Sequence, residues 1–181
     1  MMFDRVLQVI LVRHPFERLV SAYNDKMVPD GEGFSWYYAP ISRDINKRFR
    51  HLRQNFTARG DVGDGTATFE DFVNYLVQLG PPSNRDEHWR QFYATCDPCK
   101  HDYGVIMKFD TYLDDFESLK QFLNVSEHHR QDFFPPFKAS TDNDKTAVFM
   151  ESIPVELRRK LYEIYRKDFE LFGYDKPDYV R

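Results

Sequence analysis

The stretch LQVILVRHPFERLVSAYNDKM, residues 7–27, decides the fold of this chain. Leu7 and the run from Val9 to Val12 are apolar and rich in branched side chains, the pattern of a short buried strand over residues 6–13. Arg13 ends the run and Pro15 follows. Proline suits the first position of a helix, where its missing N–H has no intrahelical partner to lose. Phe16, Leu19, Val20 and Tyr23 then recur at helical spacing. The helix is expected to stop near Met27, ahead of Pro29 and the Gly31/Gly33 loop. A strand thus ends on a cation at the start of a helix. In open parallel sheets ligands bind beyond the carboxyl ends of the strands. A helix N-terminus there adds free N–H groups and the positive end of its dipole, so a guanidinium beside it makes a phosphate site. The competing reading of Arg13 is a salt bridge to Asp110 after the second strand. Ser21 falls about two turns into the helix, so it meets the same phosphate only if the helix runs alongside the ligand. Glu17 and Arg18 share the first turn and read as an ordinary solvated pair.

Composition sets the frame around this stretch. The chain has 181 residues, 41% hydrophobic and 17% aromatic, enough for one domain with a substantial core. Its formal net charge is −4, so bulk attraction to nucleic acid is not implied, and an anion site must come from local groups. No apolar run approaches the roughly 20 residues that span a bilayer. The N-terminus carries Asp4 and Arg5 and lacks a small-residue cleavage site, so it does not read as a signal peptide. Taken alone it predicts a cytosolic chain. Two glycosylation sequons, at Asn55 and Asn124, point the other way. The only cysteines form Cys96-Asp-Pro-Cys99. They supply half of a zinc site with no His pair to complete it, so no metal is expected. A redox thiol pair would normally open a helix after a strand, whereas a turn follows here. A local disulfide stapling the loop is preferred, and it requires an oxidising compartment.

Further along, Ile41, Ile45, Phe49 and Leu52 mark an amphipathic helix over about 42–54. Its other face holds Arg43, Lys47, Arg48, Arg50 and Arg53. Such a face is either simply solvated or a docking surface for a polyanion, with Arg43, Lys47 and Arg50 as substrate-binding candidates. The segment GDVGDGTATFED is glycine-rich but carries Asp61 and Asp64 and no Lys, the wrong sign for a phosphate cradle. Thr68 can cap a helix over 69–79. His88-Trp89 and Phe92-Tyr93 are expected on a short helix before the cysteines. Tyr103 to Phe109 reads as a second buried strand, and a helix capped by Asp110 or Thr111 runs to Leu123. Residues 135–147 read as a polar loop. Pro154 opens a final helix that Gly173 stops. The order predicts an α/β fold, a parallel sheet flanked by helices. Two parallel strands alone are too few for a stable sheet, so helices carry the core or strands are missing from it.

Four motifs, in order, resemble a known family. VRHPFERLVSAY, residues 12–23, resembles the 3′-phosphate-binding motif of the Golgi carbohydrate sulfotransferases, the chondroitin/dermatan 4-O-sulfotransferase and HNK-1 sulfotransferase group. His88-Trp89 through Cys96-Asp-Pro-Cys99 and Tyr103, then Lys108-Phe109-Asp110-Thr111, resemble two further segments. Leu161 to Ile164 with Tyr165, Asp168-Phe169 and Phe172-Gly173-Tyr174 resembles the C-terminal one. The resemblance spans essentially the whole chain, read as a single, partial sulfotransferase domain over 1–181.

The resemblance implies a P-loop-like sulfotransferase fold truncated at the N-terminus, and 3′-phosphoadenosine-5′-phosphosulfate as co-substrate, with no metal. Arg13 and Ser21 would hold its 3′-phosphate, and the segment with Ser140, Thr141, Lys145 and Thr146 would close over the nucleotide. The reaction would move a sulfuryl group to a hydroxyl of a glycosaminoglycan, chondroitin- or dermatan-like, or of a glycoprotein glycan. It needs a base for that hydroxyl and cations for the charge on the leaving phosphate. The base is unassigned; His88 is a candidate, with His14 and His51 behind it, and a structural histidine is the competing reading for His88. The implied location is the Golgi lumen or membrane. The family's strand–loop–helix that grips the 5′-phosphosulfate, and its membrane anchor, are expected upstream of residue 1. The alternative is therefore a catalytically inactive, truncated homologue acting as a binding or regulatory partner. A nucleotide-kinase reading lacks both a Walker-type lysine loop and strand-borne Mg²⁺ carboxylates.

Overall fold

The computed structural model describes residues 6–53, 65–124 and 143–181. Ser140, Thr141 and Asn55 lie outside the described residues. Strand β1 (Gln8–Val12) leads into helix α1 (Pro15–Lys26). Helices α2 (Tyr38–Phe49), α3 (Phe69–Gln78) and the short α4 (Phe92–Cys96) follow. Then come β2 (Tyr103–Lys108), α5 (Tyr112–Leu123), α6 (Asn143–Glu151) and the long α7 (Val155–Leu171).

β1 and β2 pair in parallel, with Val9 opposite Val105 and Val12 opposite Lys108. One face packs Ile10 and Val12 against Phe172, with Phe92, Tyr103 and Tyr174 around them. On the other face Met107 packs on Tyr112, Phe116 and Leu119. The α/β class expected from the sequence is found, but β1 is not buried on both faces. Val9 is 39% and Leu11 40% exposed, because among the described residues only β2 flanks the strand and α5 covers mainly the β2 side.

Helices therefore carry most of the core. Phe16, Leu19 and Tyr23 of α1 meet Phe72 of α3 and Leu161, Tyr165 and Phe169 of α7 in one continuous cluster that includes Trp89. Each such side chain contributes about 1.5–3 kcal/mol by leaving water. Trp89 sits edge-on to Phe72 at 5.4 Å, and the Tyr165 hydroxyl donates to the Trp89 carbonyl at 2.5 Å. Asp168 of α7 accepts from the backbone N–H groups of Phe92 and Tyr93 at 2.8 and 2.9 Å. One helix thereby caps the start of another, tying the HW…CDPC segment to the C-terminal motif.

Several boundaries shift. The basic helix begins at Tyr38 and ends at Phe49, continued by a 3₁₀ turn at Arg50–Leu52. Only Phe92-Tyr93, not His88-Trp89, is helical before the cysteines. The polar loop expected to run to residue 147 has already become α6 at Asn143. Thr68 caps α3 as expected, in a capping box with Asp71. Gly173, at φ +62°, follows the end of α7, where a side chain would strain the backbone.

Candidate functional site

The site forms where both strands end. The Phe109 N–H donates to the Val12 carbonyl at 2.8 Å, carrying the ladder past β2 and setting the Phe109 ring beside Arg13. The Arg13 guanidinium lies over that ring at 4.6 Å. Its Nε meets Glu17 Oε2 at 3.5 Å. His14 Nδ1 accepts from the Glu17 N–H at 3.4 Å and so caps α1. Burial, and then the Arg13 charge, lower the His14 pKa to about 4, so the ring is neutral near pH 7.

Glu17 is the main surprise. It is 5% exposed, not half of a solvated pair. Burial, and then Asp110, raise its pKa, while Arg13 pulls in the opposite direction. Its sequence neighbour Arg18 is half-buried. That guanidinium stacks over Phe92 at 4.2 Å and donates to the Arg90 carbonyl.

Glu17 and Ser21 lie four residues apart on one face of α1, and Arg13, just ahead of the His14 cap, meets Glu17 at the start of that face. That face lines an open cleft of about 310 Å³, with Lys145 and Thr146 of α6 also on its wall. The helix therefore runs alongside the cleft, the condition under which Arg13 and Ser21 can reach one ligand. Gly31 is a further part of the wall, and a Cβ there would collide with the Asn24 and Asp25 carbonyls. Two cations and two hydroxyls thus converge on a space whose wall also carries the Glu17, Asp25 and Glu32 carboxylates, Asp25 being paired with Lys26. This set can hold a compact anion, with Glu17 competing for Arg13 when ionised. Spacing could have put Glu17 on the face of α1 that carries Ser21, four residues on, but not beside Arg13, which precedes the helix.

The other sequence candidates lie elsewhere. His88 Nδ1 meets Asp86 Oδ1 at 2.6 Å and the Tyr38 hydroxyl at 3.1 Å, and His88 is not among the residues around the cleft. His51 is exposed in the 3₁₀ turn. Arg43, Lys47 and Arg50 are exposed on and just beyond α2 and also stay outside the cleft wall. Arg53 does not belong to that solvent face: it binds Asp71 through Nε at 2.9 Å and Nη2 at 2.5 Å. Cys96 and Cys99 are free thiols, so the expected disulfide is not formed here. Cys96 ends α4 half-buried against the Ile10–Val12 cluster, while Cys99 is exposed beyond the left-handed Asp97. Asn124 is exposed at the end of α5. Among the described residues no cluster of three or more potential metal ligands occurs, and no helix is long and apolar enough to cross a membrane.

A model of the sulfotransferase family matches residues 1–175. The chain belongs to the sulfotransferase family. Mouse carbohydrate sulfotransferase 11 is 32% identical over 181 residues, covering 97% of this chain and 49% of the relative. Carbohydrate sulfotransferase 12 of Xenopus laevis is 32% identical over 173 residues, 93% of this chain and 40% of the relative. Human carbohydrate sulfotransferase 10 is 32% identical over 179 residues, 94% and 47% respectively. The chain thus spans about half the length, or less, of these curated relatives. No solved structure matches.

Proposed function

We propose that this chain is part of a carbohydrate O-sulfotransferase that takes sulfate from 3′-phosphoadenosine-5′-phosphosulfate and gives it to a sugar hydroxyl of a glycosaminoglycan or glycoprotein glycan. One observation supports the reading: Arg13 and Ser21 of the first strand–helix unit and Lys145, more than 120 residues on, line a single cleft at the carboxyl end of β1. In this reading the Arg13 guanidinium and Lys145 ammonium meet the charge of the 3′-phosphate, and the Ser21 and Thr146 hydroxyls donate to its oxygens. The co-substrate supplies an activated sulfuryl group. Phe109 and Glu17 fix the direction of the Arg13 guanidinium. Ionisation of Glu17 is disfavoured by its burial, which weakens its competition with the incoming phosphate. His14, neutral and committed through Nδ1 to the helix cap, keeps that N-terminus from repelling or capturing a charge. Names of relatives support the sugar acceptor, and a Golgi location goes with it. In that oxidising lumen Cys96 and Cys99 would close into a disulfide, and Asn55 and Asn124 would carry glycans.

Calorimetric titration with adenosine 3′,5′-bisphosphate tests the site. Arg13→Ala should weaken binding about 10- to 100-fold, the worth of a charge-assisted hydrogen bond to phosphate. Equal affinity in wild type and variant removes Arg13 from the site.

A further inference from the structure

The loop that leaves the cleft wall carries the most exposed large apolar side chain among the described residues. Trp36 is 86% exposed and Tyr37 52%, whereas the other tryptophan, Trp89, is 2% exposed. These rings are not a loose tip. Trp36 meets Tyr37 edge-on at 6.1 Å, and Tyr37 meets Tyr38 edge-on at 4.9 Å. Tyr38 is itself buried, its hydroxyl donating to Asp86 at 3.2 Å. The Gly33 N–H is tied to Asp25 at 2.7 Å, the Phe34 N–H to the Gly31 carbonyl at 3.0 Å, and the Tyr37 N–H to Ser35 Oγ at 3.3 Å. An indole is therefore held out in water by a built support, at a cost in hydration that an isolated loop would avoid.

We propose that Trp36, backed by Tyr37, is the stacking platform for an uncharged pyranose ring of the acceptor glycan, an inference that rests on the sugar-sulfotransferase reading above. Three observations select this occupant. First, Gly31 and Glu32 line the cleft, and Trp36 lies only four residues beyond Glu32. At most ~3.6 Å per residue, that places the Trp36 Cα within about 15 Å of the Glu32 Cα at the cleft edge, a few sugar rings away. Second, a flat ring edged by hydroxyl acceptors is the chemistry that binds a pyranose: the C–H face of the sugar lies on the indole and its hydroxyls donate outward. Asp30 and Glu32, both exposed on this loop, are such acceptors. Third, the sign of the charge is wrong for a polyanion. The loop exposes carboxylates, and the nearby Lys26 is held by Asp25 at 2.9 Å. A sulfated or uronate ring is repelled here, while a neutral one is not. Acceptor choice in this chain is thus set away from the basic face of α2.

Because Trp89 is buried, the tryptophan emission that acrylamide can quench belongs to Trp36. A neutral N-acetyllactosamine tetrasaccharide should protect that emission. By calorimetry Trp36→Ala should weaken tetrasaccharide binding about tenfold and Trp36→Phe should retain most of it, while both variants bind adenosine 3′,5′-bisphosphate like wild type. If the bisphosphate binds but the tetrasaccharide neither protects Trp36 nor distinguishes the variants, the platform is overturned and the nucleotide reading stands. If the tetrasaccharide protects and the bisphosphate fails to bind, the platform stands and the nucleotide reading falls. Stronger protection by a heparin hexasaccharide overturns the preference for an uncharged ring. Protection that grows with protein concentration and needs no sugar assigns the surface to a second copy and overturns the proposal.

Discussion

Arg13 and Arg18 flank the first turn of α1, and each lays its guanidinium over a phenylalanine, Phe109 at 4.6 Å and Phe92 at 4.2 Å. Their surroundings differ. Arg18 is closed in: it donates to the Arg90 carbonyl and faces Asp168, which is already bonded to the Phe92 and Tyr93 N–H groups. Arg13 faces Glu17 and borders an open cleft with Lys145 across it. Ring stacking therefore does not mark a functional cation. What sets Arg13 apart is that its guanidinium also borders an open cleft shared with Ser21, Lys145 and Thr146. Arg18 ties together three segments, and Arg13 is the arginine the proposed site would use.

The contrast breaks most readily at Arg18. Arg18→Ala leaves a half-buried carbonyl without its donor and removes a stacked cation, so it should destabilise the fold by about 2 kcal/mol in urea titrations. A loss below about 1 kcal/mol would place Arg18 on a par with a surface charge. The next effect is the pH response of the helix cap between the two arginines. The folded-state pKa of His14 is lowered from 6.5 to about 4, so its contribution is whole above pH 6.5 and is lost as pH falls toward 4. By pH 4.5 this should cost on the order of 2 kcal/mol relative to pH 7. His14→Asn keeps a capping side chain but cannot titrate, so its urea midpoint should fall less over that range. An identical fall in both proteins would remove His14 as the cause. The smallest effect is expected from Arg13→Ala on stability, below about 1 kcal/mol, even though it should abolish most nucleotide affinity. A large loss of stability there would make Arg13 a second Arg18.

What sequence could and could not reveal follows from the range of the forces involved. Local rules located the Thr68 cap, the Pro154 start and Gly173 stop of the last helix, and both strands, because each depends on neighbours a few residues away. The meeting of Arg13 and Ser21 on one wall was conditional on the helix running along the ligand, which no spacing reveals. The burial of Glu17 and half-burial of Arg18 were missed because the groups around them, Thr146 and Tyr179 for Glu17 and Arg90 and Asp168 for Arg18, come from distant segments. Residues 143–147 read as loop because only Met150, beyond them, gives that short helix a fully buried anchor; packing against α1 decides its form. Arg53 looked solvent-facing by helical count, and the end of α2 at Phe49 moved it onto Asp71.

The parallel pairing of residues 8–12 with 103–108 also bears on how the chain is made. β1 emerges from the ribosome long before the strand it pairs with. At ~5–20 residues per second, the interval between Val12 and Tyr103 is on the order of 5–20 s. During that time the Val-Ile-Leu-Val segment cannot yet pair with β2, and closing so long a loop is slow compared with packing neighbouring helices. Folding that begins with α1 against α3 would anchor the waiting strand through Pro15 and Phe16, so that β2 arrives to a strand already held in place.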